Sequence, residues 1–228
     1  MSREQSVERF VRDVRMHQMT VIKDDNGYRH IRFSKPHSSS YYFDLVTWPG
    51  YLCMTGDMGT WTFSRINDMF NFFRDSELRI NPGYWSEKLE AGTGCARDAI
   101  AYEWDEEAFS KELEERLDAW KEDNSPDEDA DEGEKEEFAD KLESVKDLVT
   151  EMKEGSYSEH DAYNAYTNAH DPEDILCDIW EGNFKSYTTH YIWACLAIVW
   201  GIQQYDRRNF AHKAMGKFLA LKGAADEQ

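Results

Sequence analysis

The sequence lacks a long hydrophobic run. Its longest apolar stretch, residues 191–202, has 12 residues, whereas a membrane-spanning helix needs about 20. The charged N-terminus contains no apolar core of a signal peptide, so we predict none. The four cysteines, at positions 53, 95, 177 and 195, form no CxxC pair. These absences predict a cytoplasmic protein with reduced thiols.

Familiar metal-binding and phosphate-binding motifs are also missing. The seven histidines form no HxH or HExxH motif and no zinc-type set with cysteine. The glycine-rich segment 56–59 has no nearby lysine and precedes a strand pattern, so it indicates a turn rather than a phosphate-binding loop. Residues 122–134 are dense in carboxylates but lack the fixed glycine and glutamate of an EF-hand loop. We therefore predict no cofactor and no metal site, while loose divalent binding by this segment stays open.

Two aspartates suggest the main enzymatic alternative. Asp44 and Asp57 flank turns of the predicted sheet and could act as paired carboxylates. Asp57 is more simply a turn residue that bonds to nearby backbone N–H groups. Asp44 lies on a strand and could pair with Arg32 or Arg65. The prediction is a protein that is not an enzyme; the alternative is a metal-dependent enzyme acting on nucleotides or nucleic acid.

Positive charge is scarce in one part of the chain. The net charge is −20, and residues 103–154 hold 23 of the 46 acidic residues but only 7 of the 26 basic ones. Phosphate binding depends on lysine and arginine, so we predict no direct nucleic-acid binding. The segment is either a solubilising arm or an acidic surface that attracts a basic groove on a partner protein.

The first hundred residues predict an antiparallel sheet. An N-terminal helix pattern precedes two strands that flank Asn26-Gly27, a strong hairpin signal. Trp48-Pro49-Gly50 and the glycines of segment 56–59 predict two further tight turns, and hence a meander of successive strands. Residues 66–73 have helical spacing and are expected to cover one face of the sheet.

The rest of the chain predicts helices. Segments 103–121 and 134–153 are expected to form an acidic helical hairpin around the linker 124–133, and a further helix is expected to run from Asp171 to Gly182. The overall prediction is an α+β fold, a small antiparallel sheet packed by helices. Its predicted parts are an N-terminal α+β domain (1–100), an acidic helical hairpin arm (101–155) and a helical C-terminal region packing on the N-terminal domain (156–228).

Ten residues are predicted to bind a partner. Five are aromatic residues near turns, where complete burial is difficult and interface anchors are common. Five are carboxylates of the acidic linker. They are Trp48, Tyr51, Trp61, Tyr84 and Trp85, and Asp127, Glu128, Asp129, Asp131 and Glu132.

One segment also resembles a known group of proteins. The run HIRFSKP, followed by YYFDLVTWPGYLCMTGDMGTWTFSRINDMFNFF, resembles small proteins of tailed phages and prophages. Over about residues 20–75 it is similar to phage anti-defence inhibitors of the bacterial Gabija system. The resemblance implies a non-enzymatic inhibitor in the host bacterial cytoplasm, which forms a homo-oligomer and wraps a host nuclease complex in a stoichiometric assembly. It implies no catalytic residues.

Overall fold

The computed structural model describes residues 3–90 and 99–226. The chain divides into two compact units, which we call the sheet unit (Met1–Tyr102 with Tyr187–Gln228) and the acidic unit (Glu103–Ser186). The fold class is α+β, as predicted. The unit boundaries differ from the predicted domains, because residues 156–186 group with the hairpin and the final residues group with the N-terminal part.

The sheet unit contains a five-stranded antiparallel meander. Its strands follow one another in space in chain order. They are β1 (Gln18–Asp25), β2 (Tyr28–Ser34), β3 (Phe43–Trp48), β4 (Tyr51–Gly56) and β5 (Gly59–Ser64). A short pair of strands, β6 (Tyr102–Trp104) and β7 (Lys185–Tyr187), forms a second sheet.

The predicted turns join the strands of the meander. Asn26 and Gly27 both have positive φ, 45° and 91°, as a two-residue hairpin turn requires. Gly50 has φ of 89° in the turn between β3 and β4. Gly56 pairs with Gly59 at the end of β4 and β5, so the connection is a two-residue loop. The glycine-rich segment is therefore a sheet corner.

Helices complete both units. They are α1 (Arg3–Val14), α2 (Met69–Phe73), α3 (Pro82–Ser86), α4 (Glu106–Asn124), α5 (Glu132–Glu154), α6 (Glu159–Asn168) and α7 (Thr189–Asp226). None of the helices in the described ranges is long and apolar enough to cross a membrane.

The core of the sheet unit lies between one face of the meander and the helices. Alternate residues of each strand point to that face, and the buried set includes Ile31, Phe33, Leu45, Leu52 and Phe63. The first half of α7 packs against β3 and β5, and α1 packs against α7. Apolar burial along this face explains why a one-residue slip in strand register is disfavoured.

The acidic unit has a core of its own. Helices α4 and α5 pack together, and α6 packs against α5. The hairpin of α4 and α5 does not bury its apolar side chains against itself alone. Its buried residues cluster with side chains from the later part of the unit, which are Ala162, Ile175, Leu176, Ile179 and Phe184.

Two predicted helices differ from the structure. The segment from Asp171 to Gly182 forms turns and a short 3-10 helix, because Asp174 and Asp178 have φ of 57° and 53°, outside the helical range. The Asp171 carboxylate instead accepts hydrogen bonds from two backbone N–H groups of this segment. The predicted helix 66–73 begins only at Met69, with Asp68 as its N-cap.

Candidate functional site

The two units carry very different net charges. The acidic unit contains 30 acidic and 8 basic residues, a net charge of −22. The sheet unit contains 16 acidic and 18 basic residues, a net charge of +2. The whole net negative charge of the protein is therefore confined to Glu103–Ser186, a sharper separation than the sequence segment 103–154 indicated.

Seven exposed carboxylates form a stripe along α5. They are Glu132, Glu136, Asp140, Glu143, Asp147, Glu151 and Glu154, and we call them the α5 stripe. Their spacings of 4, 4, 3, 4, 4 and 3 residues follow the helical period, so they stay on one side of α5. The ion pairs that involve α5 among the described residues are Lys141 with Glu137 and Lys153 with Glu114, and neither includes a carboxylate of the stripe. Among the described residues, no ion pair neutralises the stripe.

The five predicted linker carboxylates are all exposed at the start of α5 and in the loop before it. Asp131 has a second role, because it is the N-cap of α5 and accepts a hydrogen bond from the Glu134 N–H at 2.9 Å. The Glu134 carboxylate accepts one from the Asp131 N–H in return, which completes a capping box. This end of the hairpin is therefore a defined helix start that presents negative charge.

Two of the predicted aromatic anchors are core residues. Trp61 and Trp85 are only 7% and 6% exposed, which corrects the prediction that they offer surface to a partner. The Trp61 indole N–H donates to the Met58 carbonyl at 2.9 Å, so the ring folds back over its own turn. Trp85 packs edge-on against Phe73 at a centroid distance of 4.8 Å.

The other three predicted aromatic residues lie at the surface of the sheet unit. Trp48 and Tyr51 stack across the turn between β3 and β4, with ring centroids 5.1 Å apart and planes 15° apart. Tyr51 is 36% exposed and Tyr84 is 40% exposed. The Lys88 ammonium lies over the Tyr84 ring at 4.6 Å.

Asp44 is an ion-pair partner within the sheet. Its carboxylate accepts hydrogen bonds from Arg32 at 2.8 and 2.9 Å, and His30 Nε2 lies 2.8 Å from one of its oxygens. Burial alone would raise the pKa of Asp44, but the hydrogen bonds from Arg32 and His30 outweigh burial and the pKa is lowered. Asp44 therefore stays ionised and paired, as the strand position suggested for Arg32.

Asp57 is a turn residue, and its carboxylate accepts a hydrogen bond from the Tyr41 N–H at 2.7 Å. Within residues 3–90 and 99–226, no three His, Cys, Asp or Glu side chains are grouped so that they could hold a metal ion. Cys53, Cys177 and Cys195 are free thiols, and Cys95 lies outside the described residues. The arrangement of Asp44 and Asp57 lends no support to the enzymatic alternative.

Sequence reasoning missed an aromatic patch in the acidic unit. Tyr163 and Tyr166 lie on α6 with ring centroids 5.8 and 6.0 Å from the ring of Trp180. Tyr163 is 53% exposed. The signal was present, since two tyrosines three residues apart on a short helix share a face, but the contribution of Trp180 from a distant turn was not foreseeable.

Comparison with known proteins adds no relative. No family model, no curated protein and no solved structure matches this chain.

Proposed function

We propose that the protein is a phage-type, non-enzymatic inhibitor of a bacterial defence complex that binds nucleic acid, such as a nuclease. The acidic unit occupies the basic surface on which the complex holds nucleic acid, and one assembly of inhibitor blocks one complex. The phage origin, the homo-oligomer and the cytoplasmic location rest on the resemblance of residues 20–75.

The separation of charge carries this proposal. One unit has a net charge of −22 and the other has a net charge of +2, so the negative potential is concentrated on the acidic unit. Grooves that bind nucleic acid are lined by lysine and arginine, because these side chains neutralise phosphates. An acidic protein surface meets the same cations and competes for them.

The geometry of the α5 stripe supports the same partner chemistry. With a rise of about 1.5 Å per residue, the stripe is about 33 Å long and carries one carboxylate per ~5.5 Å. One strand of B-form DNA has a phosphate about every 3.4 Å along the axis. The α5 stripe carries fewer negative charges per unit length than a DNA strand. We therefore expect the linker carboxylates and the carboxylates of α4 to contribute to binding the basic groove as well.

A titration tests the proposal. DNA cleavage by a purified nuclease complex of the Gabija type is measured with increasing amounts of this protein. We expect inhibition to saturate at a fixed molar ratio and to weaken as DNA concentration rises. Inactivation of excess complex by trace amounts of the protein would contradict stoichiometric binding and favour an enzyme.

A matched pair of variants separates local charge from total charge. One variant carries Glu136→Gln, Glu143→Gln and Asp147→Asn in the α5 stripe. The control carries the same number and kinds of substitution at exposed carboxylates of the sheet unit, which are Glu4→Gln, Glu8→Gln and Asp25→Asn. We expect only the stripe variant to need more protein for half-inhibition; equal effects would show that net charge alone matters.

A further inference from the structure

The aromatic patch of Tyr163, Tyr166 and Trp180 is a partly exposed hydrophobic feature on a highly charged unit. The two tyrosine rings lie 6.5 Å apart, and each is within 6.0 Å of the indole ring. Tyr163 is 53% exposed, while Tyr166 and Trp180 are half-buried. Exposed aromatic side chains with a fixed neighbour are common anchors of protein interfaces.

The floor of the patch is held by packing. Trp180 stacks on Phe109 at 5.9 Å with planes 25° apart and meets Phe184 edge-on at 6.5 Å. Phe109 is fully buried. The Trp180 indole N–H is buried and has no hydrogen-bond partner in the described part of the chain, so packing against the core of the acidic unit positions the ring. The patch is therefore preorganised, which lowers the entropy cost of binding.

The surroundings of the patch favour a cation. Glu181 follows Trp180 and is exposed, and Glu159 lies one helical turn before Tyr163 on the same face of α6. Lys185 pairs with Glu159 at 3.3 Å, whereas Glu181 is in no ion pair within residues 3–90 and 99–226. The unit as a whole has a net charge of −22, which attracts positively charged side chains over a long range.

Arginine fits this combination better than lysine. A guanidinium is planar and weakly hydrated, so it stacks on aromatic rings, while its N–H groups can bond to a neighbouring carboxylate. A lysine ammonium is compact and strongly hydrated, so desolvating it against tyrosine and tryptophan costs more. Carboxylates such as those of the α5 stripe can also favour arginine through bidentate pairing, but that preference does not depend on an aromatic ring.

We propose that the Tyr163–Tyr166–Trp180 patch is the subsite that receives an arginine side chain of the basic partner surface. This inference rests on the proposed function, because it assumes that the acidic unit faces a basic protein. It assigns attraction to the stripe and linker carboxylates, and recognition of arginine over lysine to the patch.

Binding of two model peptides to the full-length protein tests the inference. An oligo-arginine peptide and an oligo-lysine peptide of equal length are titrated at about 0.1 M salt, with affinity measured by calorimetry. We expect the arginine peptide to bind about two- to fivefold more tightly, the gain typical of one exposed cation–π contact. Tyr163→Ala should weaken arginine binding by about this factor without weakening lysine binding, whereas Tyr163→Phe should keep both affinities.

Tyr157→Ala is the control, since Tyr157 is 73% exposed in the same unit and lies outside the patch. It should leave the preference for arginine unchanged, and thermal unfolding should confirm that each variant is folded. Equal binding of both peptides by the wild type, or an equal loss of both in Tyr163→Ala, overturns the arginine subsite alone. If neither peptide binds, the proposed function is overturned as well.

Discussion

Substitution of Gly56 by alanine should be the most damaging single change at the corners of the sheet. An alanine Cβ at this position would lie 2.1 Å from the Tyr42 carbonyl oxygen and 2.8 Å from the Phe43 Cα. That oxygen accepts the Asp57 N–H at 3.0 Å, so relieving the overlap breaks this hydrogen bond. Backbone strain of about 1–2 kcal/mol and a lost hydrogen bond of about 1 kcal/mol together cost about 2–3 kcal/mol.

Gly50→Ala is the informative comparison. Gly50 has φ of 89° but no atom within 4 Å of an added Cβ, so only the strain of about 1–2 kcal/mol applies. By calorimetry, Gly56→Ala should lower the melting temperature by roughly 4–12 °C and Gly50→Ala by roughly 2–8 °C. Gly216→Ala, in the open middle of α7, should slightly stabilise the helix. A Gly56→Ala protein no less stable than Gly50→Ala would show that the close approach to the Tyr42 carbonyl does not restrict this position.

Three further changes test the fold. The lowered pKa of Asp44 means that its ionised form stabilises the folded state above the unfolded-state pKa near 4 and that this contribution is lost as pH falls through the lower folded value. Asp44→Asn should therefore unfold at a lower urea concentration than the wild type. The difference between their urea midpoints should be largest above the unfolded-state pKa and should shrink in acid. Replacing 103–186 by a short Gly/Ser linker should leave a sheet unit that melts cooperatively. Replacing only 104–153 should expose the apolar residues of 154–186 that pack against the hairpin, and this protein should be prone to aggregate. Trp61→Ala should cost roughly 3–5 kcal/mol in urea unfolding, as for other core tryptophans, and Trp48→Ala should cost clearly less.

The meander was predictable because the residues that define its turns are close in sequence to the strands that they join. Asn26-Gly27 and the glycine turns fix where these strands end, and two-residue loops fix the register of β1 with β2, of β3 with β4 and of β4 with β5. The burial of Trp61 follows from the same rule, since Trp61 and Phe63 alternate onto one face of β5. The position of Trp61 near a turn suggested exposure, but the alternation of side chains along β5 predicts its burial correctly.

The acidic unit was less predictable because its core is assembled from distant segments. The sequence predicted the helical hairpin of α4 and α5, but not that Ile175 and Ile179 pack against it. Asp171-Pro172 resembles a helix start, yet positive φ at Asp174 and Asp178 depends on how this segment packs. The aromatic patch was missed for the same reason, since Trp180 reaches α6 only in the folded unit.

The most direct test of the account is the rate at which the protein associates with a purified Gabija-type nuclease complex over a range of salt concentrations. The variant replaces the five linker carboxylates by their amides, and Asn at position 131 preserves the N-cap of α5. We predict that the wild-type association rate falls as salt rises, since exposed charges more than about 10 Å apart are screened at 0.1 M. The variant should associate more slowly at low salt, with little change in dissociation rate. Association that is independent of salt and equal for both proteins would contradict the claim that the charge of the acidic unit directs binding.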